Sequence, residues 1–313
     1  MKALVTGGAG FIGSHISEGL CRKGARVIIL DNLSLGSTMN LAWRKSSDQL
    51  EVVEGDVADA ALVRKVIEGC DWVFHEAALP SVPLSIEKPL ETHEQNLDAT
   101  LQLLMAARDA RVKRFLFASS SAIYGDSDAD IKRETDKPNP LSPYALQKYA
   151  SERYCQLFSN FYGLETVSFR YFNIFGPRQS FDSPYSGVIA KFCTLALKGE
   201  RPTIFGDGKQ SRDFTPIANV VQANLLGAER PAQDVAGQVF NIATGESVTL
   251  LDLLAELSRL TGRRIEPDFA PRRAGDVRAS KADISAARQA LGYRPEMSWQ
   301  EGLKATLDFY RAD

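Results

Sequence analysis

Short apolar runs alternate with stretches of helical periodicity through the first half of the chain. That rhythm predicts βαβ units around a parallel sheet. Lys2–Thr6, Arg26–Asp31, Leu50–Gly55, Trp72–Glu76, Arg114–Ser119 and Glu165–Phe172 read as strands. Helices are expected near Ile12–Lys23 and Thr92–Ala110, and Ala77–Ser85 reads as a loop. Ser142 stands as N-cap to a long helix opened by Pro143, which runs to about Tyr162 and is stopped by Gly163. Beyond Phe175 the rhythm changes: Pro, Gly, Ser and Gln become frequent, and shorter elements are expected between Gly187 and Gly208. A helix near Val220–Ala228 and a strand near Gln238–Ile242 are expected to return to the first lobe. Leu250–Leu260 and the end from Asp283 read as helices of a smaller lobe. The expected architecture is α/β, a doubly wound parallel sheet followed by a smaller α/β C-terminal lobe. Residues 1–173 form the first domain, with returning segments near 214–246, and residues 174–313 a discontinuous second one.

Composition narrows the function. A chain of 313 residues is long enough for a large core and a second lobe. Its net charge of −2 provides no basic excess for nucleic-acid phosphates, which excludes a general nucleic-acid binder. A single diphosphate needs only two or three well-placed cations, so a nucleotide ligand stays open. Cys21, Cys70, Cys155 and Cys193 are dispersed and read as reduced thiols, and His15, His75 and His93 without clustered cysteines predict no metal site. No apolar run is long enough to span a bilayer, so a cytoplasmic protein without a membrane partner is expected.

Gly7-Gly8-Ala9-Gly10-Phe11-Ile12-Gly13 lies between the first strand and the first helix. Gly7 permits a tight turn, Gly10 lets the backbone approach a pyrophosphate, and Gly13 allows close helix–sheet packing. Amide N–H groups at the helix start would face the phosphates, making the expected sheet Rossmann-type. Asp31 ends the second strand about 20 residues on, where its carboxylate suits the adenosine ribose hydroxyls. That charge would repel a 2′-phosphate, and Asn32 and Leu33 follow with no adjacent arginine, so NAD is favoured over NADP. Asp56-Val57 after the third strand suits the adenine edge; a capping aspartate is the other reading of Asp56.

Tyr144 and Lys148 stand one helical turn apart on one face. A nearby ammonium lowers a tyrosine pKa and makes the phenol usable as a base near neutrality. The pair follows Phe117-Ala118-Ser119-Ser120-Ser121-Ala122-Ile123-Tyr124-Gly125, a serine run at a strand's carboxyl end, where open α/β sheets bind ligands. A serine hydroxyl there would hold the oxygen that the phenol deprotonates.

Gly7–Gly13, Asp31, the serine before Tyr124-Gly125, Tyr144-x-x-x-Lys148 and Arg170-Tyr171-Phe172-Asn173 together resemble the extended short-chain dehydrogenase/reductase family. Within it the chain is similar, over nearly its whole length, to the UDP-hexose 4-epimerases. The resemblance implies bound NAD, oxidation of the sugar C4 hydroxyl, rotation of the 4-ketose and return of the hydride to the other face. It makes Tyr144 the base and later acid, has Lys148 lower the Tyr144 pKa and hold the nicotinamide ribose, and makes Ser120 the hydroxyl that aligns the C4 oxygen. Ser119 and Ser121 are near alternatives. It assigns to NAD the residues Gly7, Gly10, Phe11, Ile12, Gly13, Asp31, Asn32, Ser34, Gly36, Asp56, Val57, Ala77, Ala78, Asn96 and Phe172, with Tyr144 and Lys148. Related 4,6-dehydratases carry acidic residues directly after the catalytic Ser/Thr; Ser121 and Ala122 stand there, which argues against dehydration and against a UDP-glucuronate decarboxylase.

The resemblance also implies a UDP-sugar site. Asn173 would contact the diphosphate or sugar, and Gly187–Phe192 would close over the uracil with Val188 and Lys191. Phe205 and the Gly206–Phe214 segment would add Arg212 for the diphosphate. Arg273 would hold phosphate and Asp276 the uridine ribose, arginine's planar fork suiting phosphate oxygens. Ser81 is expected to face the sugar with Ser120 and Ser121. Ser280 matches a gate beside the sugar C2 group that is a bulky tyrosine in epimerases restricted to plain hexoses. A small residue there implies UDP-GlcNAc/UDP-GalNAc alongside UDP-Glc/UDP-Gal. A UDP-glucuronate 4-epimerase and a catalytically silent NAD(H)-binding sensor are the other readings. A homodimer is implied, formed by the Thr92–Ala110 and Pro143–Tyr162 helices, with Tyr154, Leu157, Phe158 and Phe161 either at that interface or in the protomer's own core.

Overall fold

The structure is a computed structural model that describes residues 1–127, 129–180, 187–272 and 278–312. Seven strands form its main sheet: β1 (Lys2–Thr6), β2 (Arg26–Asp31), β3 (Leu50–Glu54), β4 (Trp72–His75), β5 (Arg114–Ser120), β6 (Glu165–Tyr171) and β7 (Gln238–Ile242). All pair in parallel in the order β3-β2-β1-β4-β5-β6-β7. The order reverses beside β1, so the loops after β1 and β4 diverge there and leave a crevice at the strands' carboxyl ends. Apolar clusters cover both faces. One joins Ile16, Leu20, Val27, Ile29, Phe169 and Val220; the other joins Leu4, Val63, Val73, Leu103, Phe115 and Cys155. Helices Phe11–Arg22 and Ile217–Glu229 pack against one another on the first face, while Ala60–Ile67 and Ala99–Asp109 close the second. The sheet is thus doubly wound.

Three local readings need correction. Ala77–Ser85 is not a continuous loop, because Ser81 accepts a hydrogen bond from the Leu84 amide and Pro83 lies in the first turn of a helix, Val82–Glu87. Ala60–Ile67 was also not anticipated as a helix; Asp59 caps it by accepting from the amides of Ala61 and Leu62. The helix expected over Thr92–Ala110 begins earlier, at Pro89, and widens into a π-helical segment over Glu94–Asp98. The long helix Pro143–Tyr162 follows its sequence signals: Ser142 Oγ accepts from the Ala145 amide, and Gly163 ends it at φ 71° in the left-handed region.

From the second half of the chain, β7 pairs with β6 from Gln238↔Val167 to Ile242↔Tyr171. A third apolar cluster, including Phe175, Ile189, Phe192, Leu253, Leu257, Trp299, Leu303 and Leu307, forms the core of the smaller lobe. Its helices Val188–Lys198, Leu250–Thr261 and Trp299–Ala312 surround that core. The short strand Ser211–Arg212 lies between Val248–Thr249 and Ala279–Ala282, and the last of these pairs with Ile131–Lys132 from the first half. Two-residue strands carry too little periodicity to be read from a sequence. Among the described residues no helix is long and apolar enough to cross a membrane.

Candidate active site

A cleft of about 1000 Å³ follows the carboxyl edge of the sheet from Asp31 to Ser280. That volume is at the upper end of the roughly 300–1,000 Å³ usual for small-molecule sites, which leaves room for more than one ligand group.

At one end stands the glycine turn. Gly7 has φ 65°, and a Cβ there would lie 2.7 Å from the Ala77 amide nitrogen. A Cβ on Gly13 would lie 2.2 Å from the Gly7 carbonyl oxygen, so any larger residue would force the turn off the helix. Gly10 caps that helix with no side-chain hydrogen bond, leaving the first amides to an anion in the cleft. Asp31 is buried and ties the region together: its carboxylate accepts from the Ala9 amide and the Leu33 amide, both at 2.9 Å. A Cβ on Gly36 would lie 2.7 Å from Asp31 Oδ1, so only glycine leaves that carboxylate its place. Asn32, Ser34 and Gly36 share the wall with Asp31 and bring no cation to it. This donor set fits NAD: amides for the pyrophosphate, and a carboxylate with free lone pairs and no neighbouring cation for the adenosine ribose.

Phe11, Ile12, Val57, Ala77 and Ala78 also line the cleft. Asp56 does not. It accepts from Asn32 Nδ2 at 2.9 Å and from the Ala58 amide at 2.8 Å, so it braces the loop after β2. Asn96 is buried behind the wall, where its amide group accepts from the Leu79 amide at 2.8 Å and donates to the Leu79 carbonyl at 3.2 Å. Phe172 is fully buried with its ring 6.0 Å from that of Tyr124. Asn96 and Phe172 support the cleft from outside it.

At the middle of the cleft Ser120, Tyr144 and Lys148 converge. Ser120 is hydrogen-bonded to Tyr144 and also caps the Ser121–Tyr124 turn, its Oγ accepting from the Ala122 amide at 3.1 Å. Ser119 is engaged elsewhere: its hydroxyl donates to Glu152 Oε2 at 2.7 Å. Arg170 binds the same carboxylate through both oxygens, at 2.9 and 2.7 Å, and its guanidinium lies 4.8 Å above the Tyr124 ring. This buried cluster joins the long helix to β5 and β6 and thereby orients Ser120 and Tyr144. Ser121 also faces the cleft.

The electrostatics differ from expectation. Burial pushes the Tyr144 phenol above its ordinary value, and the Ser120 hydrogen bond opposes this. Lys148 is turned inward, donating to the Ala118 carbonyl at 2.8 Å and sitting 5.0 Å from the centre of the Phe117 ring. Burial lowers its pKa to about 8, against the opposing influence of the Glu76 carboxylate. Glu76 itself was missed in the sequence. It lines the cleft at the end of β4, and burial raises it to about 7. An acid at a strand's carboxyl end beside the switch point was the signal available.

At the far end the wall is built by distant segments. Asn173 adopts φ 39° and donates from Nδ2 to the Asp213 carbonyl at 3.2 Å. The fully buried Asp213 carboxylate accepts from Thr244 N and Oγ1, Gly245 N and Ala282 N, at 2.9, 2.7, 3.0 and 3.2 Å. That knot holds Arg212 and Ser280, which are register partners, on the cleft wall. Lys132 and Gln179, not singled out in the sequence, line the same end. Ser81 is buried and caps its helix rather than facing the cleft, because its Oγ holds the Leu84 amide at 3.1 Å. Val188, Lys191 and Phe205 are not on the wall, although Gly187 is. Arg273 and Asp276 lie outside the described residues. Among those described, no cluster of His, Cys, Asp or Glu could hold a metal.

The NAD dependent epimerase/dehydratase family matches residues 3–243. A UDP-glucose 4-epimerase of Mycolicibacterium smegmatis is 38% identical, across 99% of this chain and 99% of its own. A solved UDP-N-acetylglucosamine 4-epimerase from Methanobrevibacter ruminantium M1, in complex with UDP-N-acetylmuramic acid, is 40% identical with a TM-score of 0.94, covering 99% of this chain and 98% of that one. A UDP-glucuronic acid 4-epimerase from Bacillus cereus, in complex with UDP-glucuronic acid and NAD, is 31% identical with a TM-score of 0.91, covering 100% of this chain and 99% of that one.

Proposed function

The chain belongs to the NAD dependent epimerase/dehydratase family, and on that premise we propose that it interconverts the C4 epimers of UDP-N-acetylhexosamines and of plain UDP-hexoses. The observation that carries the reading is the convergence of Ser120, Tyr144 and Lys148 in one cleft that runs from the glycine turn to Arg212 and Ser280. The glycine turn, Asp31, Val57, Ala77 and Ala78 would hold NAD, and Lys148, once turned from the Ala118 carbonyl to the cleft, would hold its nicotinamide ribose. NAD supplies the reversible two-electron acceptor for the sugar C4.

The chain's own residues manage the proton and the position. Ser120 holds the C4 oxygen, and Tyr144 removes its proton and later returns it to the opposite epimer. Deprotonating a phenol whose pKa is raised by burial requires a local positive charge, which Lys148 provides when its ammonium is turned to the cleft. Arg212 and Asn173 hold the diphosphate end while the sugar turns over. Ser280, half-buried on the wall, leaves space at C2 for an N-acetyl group.

The test is incubation of purified protein with UDP-GlcNAc, and separately with UDP-Glc, without added NAD. Epimerisation of both supports a retained cofactor and an open gate. Conversion of UDP-Glc alone discards the gate, and conversion of neither with NAD supplied moves the reading to UDP-glucuronate or to a silent binder. UDP-glucuronate has one observation in its favour: Lys132, a cation on the cleft wall whose Nζ donates to the Ser127 and Ala129 carbonyls at 2.6 Å and keeps a third proton.

A homodimer through the long helix accompanies this reading. Leu146, Tyr154, Leu157, Phe161 and Tyr162 are exposed along it, and Leu90 and Met105 on the neighbouring helices. Phe158 instead belongs to the protomer's own core.

A further inference from the structure

The chain leaves β6 for the smaller lobe through residues 173–179, and that segment is strained. Among the described residues four non-glycine positions have a left-handed φ, and two of them, Asn173 at 39° and Arg178 at 66°, lie in it. Glycine visits that conformation readily and Asn less so, whereas an arginine does so only at a cost. Such a backbone persists where the surroundings over-determine it, and it tends to mark functional sites.

The contacts that hold the segment come from two elements. Between the strained residues, Ile174–Phe175 pairs in parallel with Thr215–Pro216, and the Thr215 amide donates to the Asn173 carbonyl at 3.2 Å. The second element is the helix Phe11–Arg22, whose first turn faces the cofactor end and whose Ser14, His15 and Glu18 share one face. His15 Nε2 donates to the Pro177 carbonyl at 3.0 Å. The Arg178 guanidinium forms an ion pair with the Glu18 carboxylate and reaches Ser14 Oγ at 3.5 Å. Both side chains are mostly buried, 14% and 11% exposed, so the pair escapes the solvent screening that weakens surface pairs. Desolvation offsets much of the attraction in such a pair, yet leaving either charge alone is costly, so the pair fixes geometry more than it adds stability. The other oxygen of Glu18 takes Arg22, which is 77% exposed.

The segment also forms part of the cleft wall, through Asn173, Ile174 and Gln179. Gln179 Nε2 donates to the Ile174 carbonyl at 3.3 Å, and the Gln179 carbonyl accepts from the Tyr310 hydroxyl, on the helix Trp299–Ala312, at 2.6 Å. Gln179 Oε1 is buried and has no hydrogen-bond partner among the described residues. Buried acceptors are nearly always bonded, so one left open on a cleft wall suits a donor on a ligand. Consecutive residues thus have opposite tasks: Arg178 is anchored on the cofactor helix, and Gln179 is presented to the cleft.

We propose that Arg178 is a positioning residue for the far end of the cleft. Its ion pair with Glu18 clamps the strained segment to the cofactor helix and so holds Asn173 and Gln179 against the sugar nucleotide. The consequence for substrate binding rests on the epimerase reading; the clamp itself needs no substrate.

The experiment uses the protein with its retained cofactor. Glu18→Gln keeps the shape of the partner and removes its charge. Arg178→Gly removes the clamp while accepting the left-handed φ, so it should fold even where the first variant does not. In either, amide hydrogen exchange across residues 173–179, read by mass spectrometry without sugar nucleotide, should quicken about tenfold. KM for whichever of UDP-GlcNAc and UDP-Glc is converted should rise about tenfold, with kcat within about twofold of wild type and bound NAD unchanged. Arg178→Lys, which keeps the charge, should restore most of both effects. Arg22→Ala, which removes only the exposed partner of Glu18, should alter neither. Unchanged exchange overturns the proposal. Faster exchange with kcat lowered and KM unmoved, the result of a merely structural pair, overturns it too. Faster exchange in a protein that converts no UDP-sugar would overturn the function and leave the clamp standing.

Discussion

The two ends of the cleft are built by different kinds of chain. The cofactor end comes from loops that directly follow consecutive strands: the glycine turn after β1, Asp31 to Gly36 after β2, Gly55 and Val57 after β3, Ala77 and Ala78 after β4. Its shape is set by backbone, as the 2.2 Å between a hypothetical Gly13 Cβ and the Gly7 carbonyl illustrates. The far end is assembled from Asn173, Arg212 and Ser280, which meet because Asp213 ties their segments together, its carbonyl accepting from Asn173 and its buried carboxylate from Thr244, Gly245 and Ala282. The first end is a fixed socket tolerating almost no added atom. The second is a wall of side chains on short strands, where one residue's volume can alter what fits.

Four measurements would break or sharpen that contrast. The largest effect is expected at the seam: Tyr144→Phe removes the hydroxyl that moves the proton and should lower kcat about 10³-fold, with NAD retained. Full activity in that variant would end the assignment. Gly13→Ala should act on the socket alone. It should reduce the NAD retained after purification, measured by cofactor released on denaturation, by about tenfold, and cost about 1–3 kcal/mol of stability in urea unfolding. Ser280→Tyr should act on the wall alone, reducing turnover of UDP-GlcNAc by about 10–100-fold relative to UDP-Glc without changing bound NAD. Equal loss of both substrates would remove the gate argument.

The smallest effect concerns stability rather than substrate. Burial holds the pKa of His75 at about 3 and that of His15 at about 4, below the ordinary 6.5 of the unfolded chain. Groups depressed on folding contribute stability that is complete above about pH 6.5 and is lost as pH falls through the folded values. Each histidine should therefore steepen the decline between pH 6.5 and 4 by about 1.4 kcal/mol per unit. Glu76, raised to about 7, opposes this between its unfolded value and neutrality, and Glu134 and Asp213, also raised by burial, act in the same sense. Urea midpoints from pH 7 to 4.5 check the sign, and His75→Gln should flatten the slope.

What the sequence determined by itself was whatever depends on neighbours along the chain. The glycine turn follows from residue spacing, Asp31 from its place after β2, and the long helix from Ser142, Pro143 and Gly163, because caps and turns are decided within a few residues. Tyr144 and Lys148 shared a face by helical geometry alone. Tertiary structure decided the rest, for three physical reasons. Ser81 and Asp56 carry side chains suited to a ligand or to a cap, and only the fold showed their oxygens taken by the Leu84 and Ala58 amides. Ser119 and Ser120 were alike in sequence, until Glu152, 33 residues away, claimed one hydroxyl and left the other to Tyr144. Burial, too, is a property of the packed whole. It raised the Tyr144 phenol and lowered the Lys148 ammonium, which donates to the Ala118 carbonyl, reversing the pKa direction that the Tyr-x-x-x-Lys spacing alone suggested for Tyr144.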